Sequence, residues 1–159
     1  MPSILFVCTH NLFRSPIAAA FFSQVMDEKG LAEKMVVNSA GTWATPDTLM
    51  PPLAIEAASK YKADLRKHQA VLINRSMLLE HDLILGMERG QKEAIQYEFP
   101  EVQNRVFLLS EVVDNRIYDI PDPAFFDETA AVNLVDDLYD LIQRGYKNIF
   151  LLSNKLSKT

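Results

Sequence analysis

Four short apolar segments of the chain have the character of β-strands. They span residues 3–8, 35–39, 82–87 and 105–109. The first, third and fourth are continuously apolar and do not alternate with polar residues, which is typical of strands buried on both faces of a parallel sheet. The pattern therefore predicts a parallel sheet that is covered on both sides.

Between the predicted strands, apolar residues recur at the spacing of an α-helix. The first helix is expected to begin at Pro16, because proline is favoured in the first helical turn, and to end near Gly30. A second helix is expected after Pro51 and Pro52. Alternating strands and helices indicate an α/β fold with right-handed crossovers.

Two more helices are predicted in the second half of the chain. One covers residues 89–98, and the other covers residues 127–144, where Gly145 is expected to break the helical pattern. The apolar tail from Asn148 to Leu152 fits either a short strand or a continued helix, and we favour the helix.

The size and charge of the chain limit the classes of function. Its 159 residues fit a single domain, residues 1–159, and its 48% hydrophobic and 23% charged residues are ordinary for a soluble globular protein. The formal net charge of -5 argues against nucleic acid or an anionic membrane surface as the main partner. An anionic substrate would therefore need a local positive site that works against the overall field.

Cys8 is the only cysteine in the chain. A single thiol excludes an intramolecular disulfide and any multi-cysteine zinc site, and it fits a reducing compartment. The N-terminus has no basic region before its apolar stretch, and no run approaches the roughly 20 apolar residues of a membrane span. We therefore expect a cytoplasmic protein that requires no metal and no other cofactor.

The stretch from residue 3 to residue 16 carries the strongest chemical signal. Its apolar strand ends at Cys8, and Arg14, Ser15 and Pro16 follow at the start of the first helix. The residues between Cys8 and Arg14 are Thr9, His10, Asn11, Leu12 and Phe13. A loop of this length can turn its backbone N–H groups inward to form an anion-binding nest, and the helix N-terminus adds positive potential. The planar guanidinium of Arg14 can grip two oxygens of the same anion.

Cys8 in such a loop is a candidate nucleophile, because the same positive field stabilises a thiolate. Ser15 is placed to donate its hydroxyl toward the sulfur and stabilise it as nucleophile and as leaving group. The alternative interpretation is a strand-end cysteine that packs as a small hydrophobe, with Arg14 on the surface.

The segment VCTHNLFRSP, residues 7–16, resembles the phosphate loop of the low-molecular-weight protein tyrosine phosphatases. NSAGT at 38–42 is similar to the family's second-strand segment, and IPDP at 120–123 is similar to its general-acid loop. His68, with Met87 further along the chain, resembles the middle of the family sequence. The resemblance extends over nearly the whole chain and implies one three-layer domain with a central four-stranded parallel sheet flanked by helices.

The resemblance also implies a mechanism in two displacements. Cys8 would attack phosphorus to form a phosphocysteine, with Asp122 as general acid and then as general base. Asp119 and Asp127 are nearby carboxylates, but only Asp122 has the matching context, in which Pro123 follows.

The way in which phosphate is held follows from the same resemblance. Residues 9–14 would bind phosphate, and Asn11, Ser39 and His68 would brace the loop. The implied substrate is a phosphotyrosine protein or a small aryl phosphate, with inorganic phosphate as product and inhibitor. A tyrosine kinase that makes such a substrate would be a cognate partner.

The loop departs from the usual family sequence at two positions. His10 stands where the family usually has glycine, which would cost about 1 kcal/mol if the position needs a positive φ. Its side chain could crowd the substrate, supply a donor, or turn to the solvent at the rim. Phe13 stands where a second cysteine is usual.

The pocket walls match the family less closely. Ala124 follows Pro123 at a position that is often aromatic in the family, so Phe125 and Trp43 are the candidates for a wall. Packing of Phe125 in the core and of Trp43 over the sheet edge are the alternatives. Leu12 is apolar where the protein-arginine phosphatase branch typically has threonine, which favours phosphotyrosine over phosphoarginine.

Two other functions fit part of this pattern. Arsenate reductase shares the fold and the loop, but its thioredoxin-linked form needs further cysteines that this chain lacks. A non-catalytic phosphate- or phosphotyrosine-binding module would explain the altered residues His10 and Phe13. Such a binder has no need of a nucleophile and an acid, whereas the chain has Cys8, Arg14 and Asp122 together. We therefore expect an active phosphatase.

Peroxide is expected to inactivate the enzyme with poor recovery. Because Phe13 stands in place of the neighbouring cysteine, oxidised Cys8 cannot be trapped as an intramolecular disulfide. It must wait for an external thiol, form a sulfenamide, or over-oxidise. Phosphatase activity after brief peroxide treatment, with and without added thiol, measures this. Full recovery without added thiol would contradict the expectation.

Overall fold

The computed structural model describes residues 1–123 and 127–158. In these ranges, four parallel strands form one sheet: β1 (Ser3–Cys8), β2 (Val36–Gly41), β3 (Leu83–Gly86) and β4 (Val106–Leu108). Their order across the sheet is β2-β1-β3-β4. Each strand lies at a predicted apolar segment, so the expected parallel sheet is confirmed.

Helices connect the strands and cover the sheet. They are α1 (Arg14–Glu28), α2 (Pro52–Ser59), α3 (Arg75–Glu80), α4 (Arg89–Glu98), α5 (Leu109–Asp114) and α6 (Glu128–Ser157). Short 3₁₀ helices lie at Ala32–Lys34 and Pro100–Arg105. Helix α4 has the predicted bounds, whereas α1 begins before Pro16, at Arg14, and α3 and α5 were not predicted.

The central strand β1 shows why the fold has three layers. All of its residues are buried, and successive side chains point to opposite faces of the sheet. Ile4, Phe6 and Cys8 lie in the larger core, which is formed with α1 and α6. Leu5 and Val7 lie in a second core with residues of α3 and α4. Helices therefore cover both faces, as the continuously apolar strands predicted.

The parallel register brings the carboxyl ends of the strands to one edge of the sheet. Cys8 pairs with Gly41 at the end of β2, and Val7 pairs with Gly86 at the end of β3. The segments that follow β1, β2 and β3 therefore meet at this edge, which is where open α/β sheets bind their ligands.

Helix α6 corrects the prediction for the end of the chain. It continues through residue 145, so the break expected at Gly145 is wrong, and the helix favoured for the tail is confirmed. Gly145 serves packing instead, since a Cβ there would lie 2.4 Å from Cγ2 of Val113 in α5. Although α6 has 30 residues, neither it nor any other helix in the described ranges is long and apolar enough to cross a membrane.

Replacing Gly145 with alanine is expected to lower the free energy of unfolding, because the new methyl group would overlap Cβ and both γ carbons of Val113. The matched control is Gly90→Ala in α4, where nothing lies within 4 Å of the added Cβ. Both variants gain helix propensity, but only Gly145→Ala overpacks the core. Their free energies of unfolding should therefore differ by about 1–3 kcal/mol. Chemical denaturation measures the difference. Equal stability of the two variants would contradict the packing argument.

Candidate active site

The loop between β1 and α1 curls over a buried sulfur. Cys8 is the last residue of β1 and is 2% exposed. Asn11 has a φ of 58°, a left-handed conformation that asparagine adopts more readily than most residues. Its backbone N–H donates to Cys8 Sγ over 3.3 Å, and Ser15 Oγ lies 2.9 Å from the same sulfur. The sulfur is thus surrounded by groups that can stabilise a thiolate.

Arg14 is completely buried, so the alternative that places it on the surface is wrong. Its Nη1 donates to Glu88 Oε2 and to the backbone oxygen of Ile120, each over 2.7 Å. Its Nε lies 2.9 Å from Asp122 Oδ1 in an ion pair that lacks the direction of a hydrogen bond. The two carboxylates balance a charge that is costly to bury alone.

Two nitrogens of Arg14 remain available for an anion. Neither Nε nor Nη2 has a hydrogen-bond partner among residues 1–123 and 127–158. Buried donors in proteins are nearly always paired, so these two point to an acceptor beyond the described residues. A tetrahedral oxyanion is such an acceptor, because a guanidinium can bind two of its oxygens side by side.

The three candidate carboxylates have different surroundings. Asp119 accepts a hydrogen bond from the backbone N–H of Arg89 over 2.8 Å. This bond, and to a smaller extent the bond from the Arg89 side chain, holds the pKa of Asp119 below its ordinary value. Asp127 caps α6 by accepting a backbone N–H of the first turn over 3.1 Å. Asp122, with a side chain 48% exposed, faces Arg14. Among the three, Asp122 has the position of a group that meets both substrate and water.

The residues assigned to loop support by resemblance meet around Asn11. Its side-chain nitrogen donates to Oγ of Ser15 over 2.8 Å and to Oγ of Ser39 over 3.0 Å. Its Oδ1 accepts the backbone N–H of Val71 over 2.9 Å. Its backbone oxygen lies 2.9 Å from His68 Nε2, which must carry the proton because a carbonyl only accepts. These bonds fix the left-handed turn of the loop.

His10 and Trp43 lie at the rim of the loop. His10 does not adopt a positive φ, so the backbone cost considered for losing glycine does not arise. His10 Nδ1 lies 3.3 Å from the backbone oxygen of Trp43. The backbone N–H of Trp43 donates to the backbone oxygen of Thr9 over 2.8 Å. The Trp43 side chain is not packed over the sheet edge, since the residue is 78% exposed. Phe125, the other candidate for a wall, lies outside the described residues.

Two residues that the sequence did not single out contact the site. Glu88 binds Arg14, and Gln91 donates to Thr9 Oγ1 over 3.0 Å and to Glu88 Oε2 over 3.2 Å. Both lie just after β3, beside the carboxyl end of β1. The signal that could have found them is the change from buried apolar to polar residues at the end of β3.

The assembled groups suit chemistry on an oxyanion. The site combines a thiol, a hydroxyl beside it, a guanidinium with available donors, and a half-exposed carboxylate. Within the described ranges, no group of three or more His, Cys, Asp or Glu side chains is arranged to hold a metal ion. The arrangement can bind an anion, attack it with sulfur, and exchange a proton through the carboxylate.

One protein family matches almost the entire chain. The model of the low molecular weight phosphotyrosine protein phosphatases covers residues 3–159. The chain belongs to this family. The resemblance drawn from the loop and the expectation of a low molecular weight protein-tyrosine phosphatase are thereby confirmed.

Relatives of this phosphatase chain carry names of two kinds. It is 34% identical over 146 residues to the protein-arginine-phosphatase of Bacillus subtilis (strain 168). The matched region covers 92% of this chain and 95% of the relative. It is also 34% identical over 121 residues to the low molecular weight protein-tyrosine-phosphatase Wzb of Escherichia coli (strain K12). This match covers 76% of this chain and 77% of the relative. The names therefore divide between arginine and tyrosine phosphatases.

Solved structures of the family have the same fold. A YwlE mutant from Bacillus subtilis has a TM-score of 0.87 and 30% identity, over 94% of this chain and 99% of the other. The tyrosine phosphatase Wzb from Escherichia coli K30, in complex with sulphate, has a TM-score of 0.81 and 27% identity, over 92% and 97%. The α/β fold with a four-stranded parallel sheet is confirmed.

Replacing Gly41 with alanine is expected to damage the loop more than the fold. A Cβ at this position would lie 2.5 Å from the backbone oxygen of Thr9 and 3.0 Å from the backbone nitrogen of Asn11. Both are backbone atoms of the loop, so the loop must move, and a displacement of about 1 Å can lower kcat/KM on the order of 100-fold. The assay is hydrolysis of para-nitrophenyl phosphate, with Gly90→Ala as control. Wild-type kcat/KM in Gly41→Ala would refute this account of the loop.

Proposed function

We propose that the chain removes phosphate from phosphotyrosine in proteins and from small aryl phosphates, through a phosphocysteine on Cys8. One observation carries the proposal. The fully buried Arg14 has two donors without a hydrogen-bond partner in the described residues, at the end of a loop that begins with the buried sulfur of Cys8. A phosphoryl group bound by these donors would present its phosphorus to that sulfur.

In the first displacement, the Cys8 thiolate attacks phosphorus, and the bond from phosphorus to the leaving oxygen breaks. Ser15 Oγ, which is 2.9 Å from the sulfur, donates its hydroxyl to the thiolate. Asp122 gives its proton to the leaving oxygen, so that a neutral phenol departs. Arg14 and the loop amides bind the equatorial oxygens, where the charge of the transition state is spread.

In the second displacement, water attacks the phosphocysteine. The Asp122 carboxylate takes a proton from the water, the P–S bond breaks, and the Cys8 thiolate is restored. Inorganic phosphate is then released. It uses the same donors of Arg14 as the substrate, so it acts both as product and as inhibitor.

The contact between Arg14 and Asp122 supports the role of Asp122 in both proton transfers. Asp122 Oδ1 lies 2.9 Å from Arg14 Nε, in an ion pair. A phosphoryl group bound by Arg14 would therefore place its leaving oxygen near Asp122, which is the position that a general acid needs. Loss of the leaving group and arrival of water then return Asp122 to the role of base.

Phosphoarginine is the second candidate substrate, because two relatives are named protein-arginine-phosphatase. Two residues of this chain favour an aromatic leaving group instead. Leu12 gives the loop an apolar position, and the 78% exposed Trp43 is bonded to the loop through its backbone N–H, which donates to Thr9. Aromatic side chains prefer to pack against aromatic and apolar groups. We therefore favour phosphotyrosine.

A pair of peptides of one sequence, bearing either phosphotyrosine or phosphoarginine, tests the substrate class. Wild type should release phosphate from the phosphotyrosine peptide, and Cys8→Ser should release none. Faster turnover of the phosphoarginine peptide would assign the enzyme to the other class. Binding of vanadate without turnover of either peptide would favour a non-catalytic binding module.

We further propose a cognate tyrosine kinase and a reducing compartment. A phosphotyrosine substrate must be made by such a kinase, and the two enzymes would act on the same protein. Cys8 has no second cysteine in the chain to protect it by disulfide formation, so its activity requires reducing conditions such as those of a cytoplasm.

Replacing Asp122 with asparagine is expected to lower kcat for phenyl phosphate by about 10²- to 10⁴-fold. The loss should shrink for substrates whose leaving group is stable as an anion, because such groups need no proton from the enzyme. Measuring kcat over a series of substituted aryl phosphates tests both statements.

The matched control for this variant is Asp119→Asn in the same segment. Asp119 binds Arg89 and not Arg14, so its variant should keep the wild-type dependence on the leaving group. If Asp122→Asn leaves kcat unchanged, or if Asp119→Asn alone alters the leaving-group dependence, Asp122 is not the general acid.

A further inference from the structure

We propose that Gln91 is a positioning residue for the phosphatase reaction, because it holds Arg14 and the phosphate loop in one fixed arrangement. This inference rests on the proposed function and adds a residue to its machinery. Gln91 lies in α4, is 5% exposed, and is 82 positions away from its loop partner in sequence. It touches neither the sulfur nor the available nitrogens of Arg14, so it acts through its neighbours.

The hydrogen bonds of Gln91 fix the direction of its amide. Its Oε1 accepts the backbone N–H groups of Met87 and Glu88, each over 2.9 Å. Two N–H donors require an oxygen at that end, so the side-chain nitrogen must face the opposite side. Both hydrogens of that nitrogen are then directed at the active site.

The first of these hydrogens anchors the loop. Gln91 Nε2 donates to Thr9 Oγ1 over 3.0 Å, and Thr9 is the residue that directly follows Cys8. The backbone oxygen of Thr9 is held on the other side by the N–H of Trp43 over 2.8 Å. Without the bond from Gln91, Thr9 would be held by the segment that follows β2 but not by α4.

The second hydrogen reaches Arg14 through Glu88. Gln91 Nε2 donates to Glu88 Oε2 over 3.2 Å, and the same oxygen accepts from Arg14 Nη1 over 2.7 Å. The Glu88 side chain is one-third exposed, so packing alone does not fix its carboxylate. Gln91 restricts that carboxylate, which in turn orients the guanidinium plane and directs Nη2 of Arg14 away from Glu88.

Two variants separate this role from simple packing. Gln91→Glu has the same shape and keeps an oxygen for both backbone N–H groups, but it replaces the donating nitrogen by an oxygen beside Glu88. Gln91→Met keeps the length of the side chain and removes its hydrogen bonds, and unlike glutamate it adds no charge. The control is Gln96→Met on the same helix, whose amide donates to the backbone oxygen of Gln103, away from the site.

The experiment measures kcat and KM with para-nitrophenyl phosphate, and the Kd of inorganic phosphate by calorimetry. Both Gln91 variants should lower kcat/KM on the order of 10- to 100-fold, as expected for a displaced binding group. The Kd of phosphate should rise with them, while Gln96→Met stays at wild type. A smaller folded fraction would lower kcat alone, so a loss of kcat with unchanged KM and phosphate Kd overturns the proposal.

Two further results show whether Gln91 acts through Glu88 and separate its role from the proposed function. If the effects of Glu88→Gln and Gln91→Met simply add in the double variant, Gln91 does not act through Glu88 and the proposal is overturned. A wild type that binds phosphate but shows no turnover would reject the proposed function alone. Weaker phosphate binding by the Gln91 variants would still support the positioning role in that case, and equal binding would overturn it.

Discussion

The structure depends on a guanidinium that is buried to 0% exposure at the edge of the sheet. Glu88, the backbone oxygen of Ile120 and Asp122 approach Arg14 there from segments distant in sequence. Removing one partner of a buried ion pair typically costs about 3–5 kcal/mol. The segment after β3 and the segment around residue 120 must therefore close over the loop that follows β1. The same closure leaves two nitrogens of Arg14 available for a phosphate.

Much of this arrangement could be predicted from the sequence because its signals are local. Continuous apolar runs predicted the strands, and the spacing of Cys8 and Arg14 predicted the anion loop. The change to polar residues at the end of β3 marks the place of Glu88 and Gln91 but does not reveal their partners Arg14 and Thr9, which lie 74 and 82 positions away in sequence. The contacts of Asn11, Ser39 and His68 were predictable only through the family resemblance.

The missed helices have a physical explanation of the same kind. Helices α3 and α5 have six residues each, too few for an apolar stripe to repeat. Gly145 misled in the opposite direction, because glycine inside a helix usually marks a break, whereas here it allows α5 to approach α6. The positions of His10 and Phe13 explain why the loop tolerates these two unusual residues. The left-handed turn falls on Asn11 and not on His10, and Phe13 packs against the core.

In the proposed reaction, Cys8 carries the phosphoryl group while Arg14 holds it. The most direct measurement is rapid quenching of the enzyme during turnover of an aryl phosphate, followed by mass spectrometry of its peptides. Our account predicts one phosphoryl group on the peptide that contains Cys8, present during turnover and lost when the substrate is exhausted. Turnover with no phosphorylated peptide, or with the phosphoryl group on another residue, would contradict it.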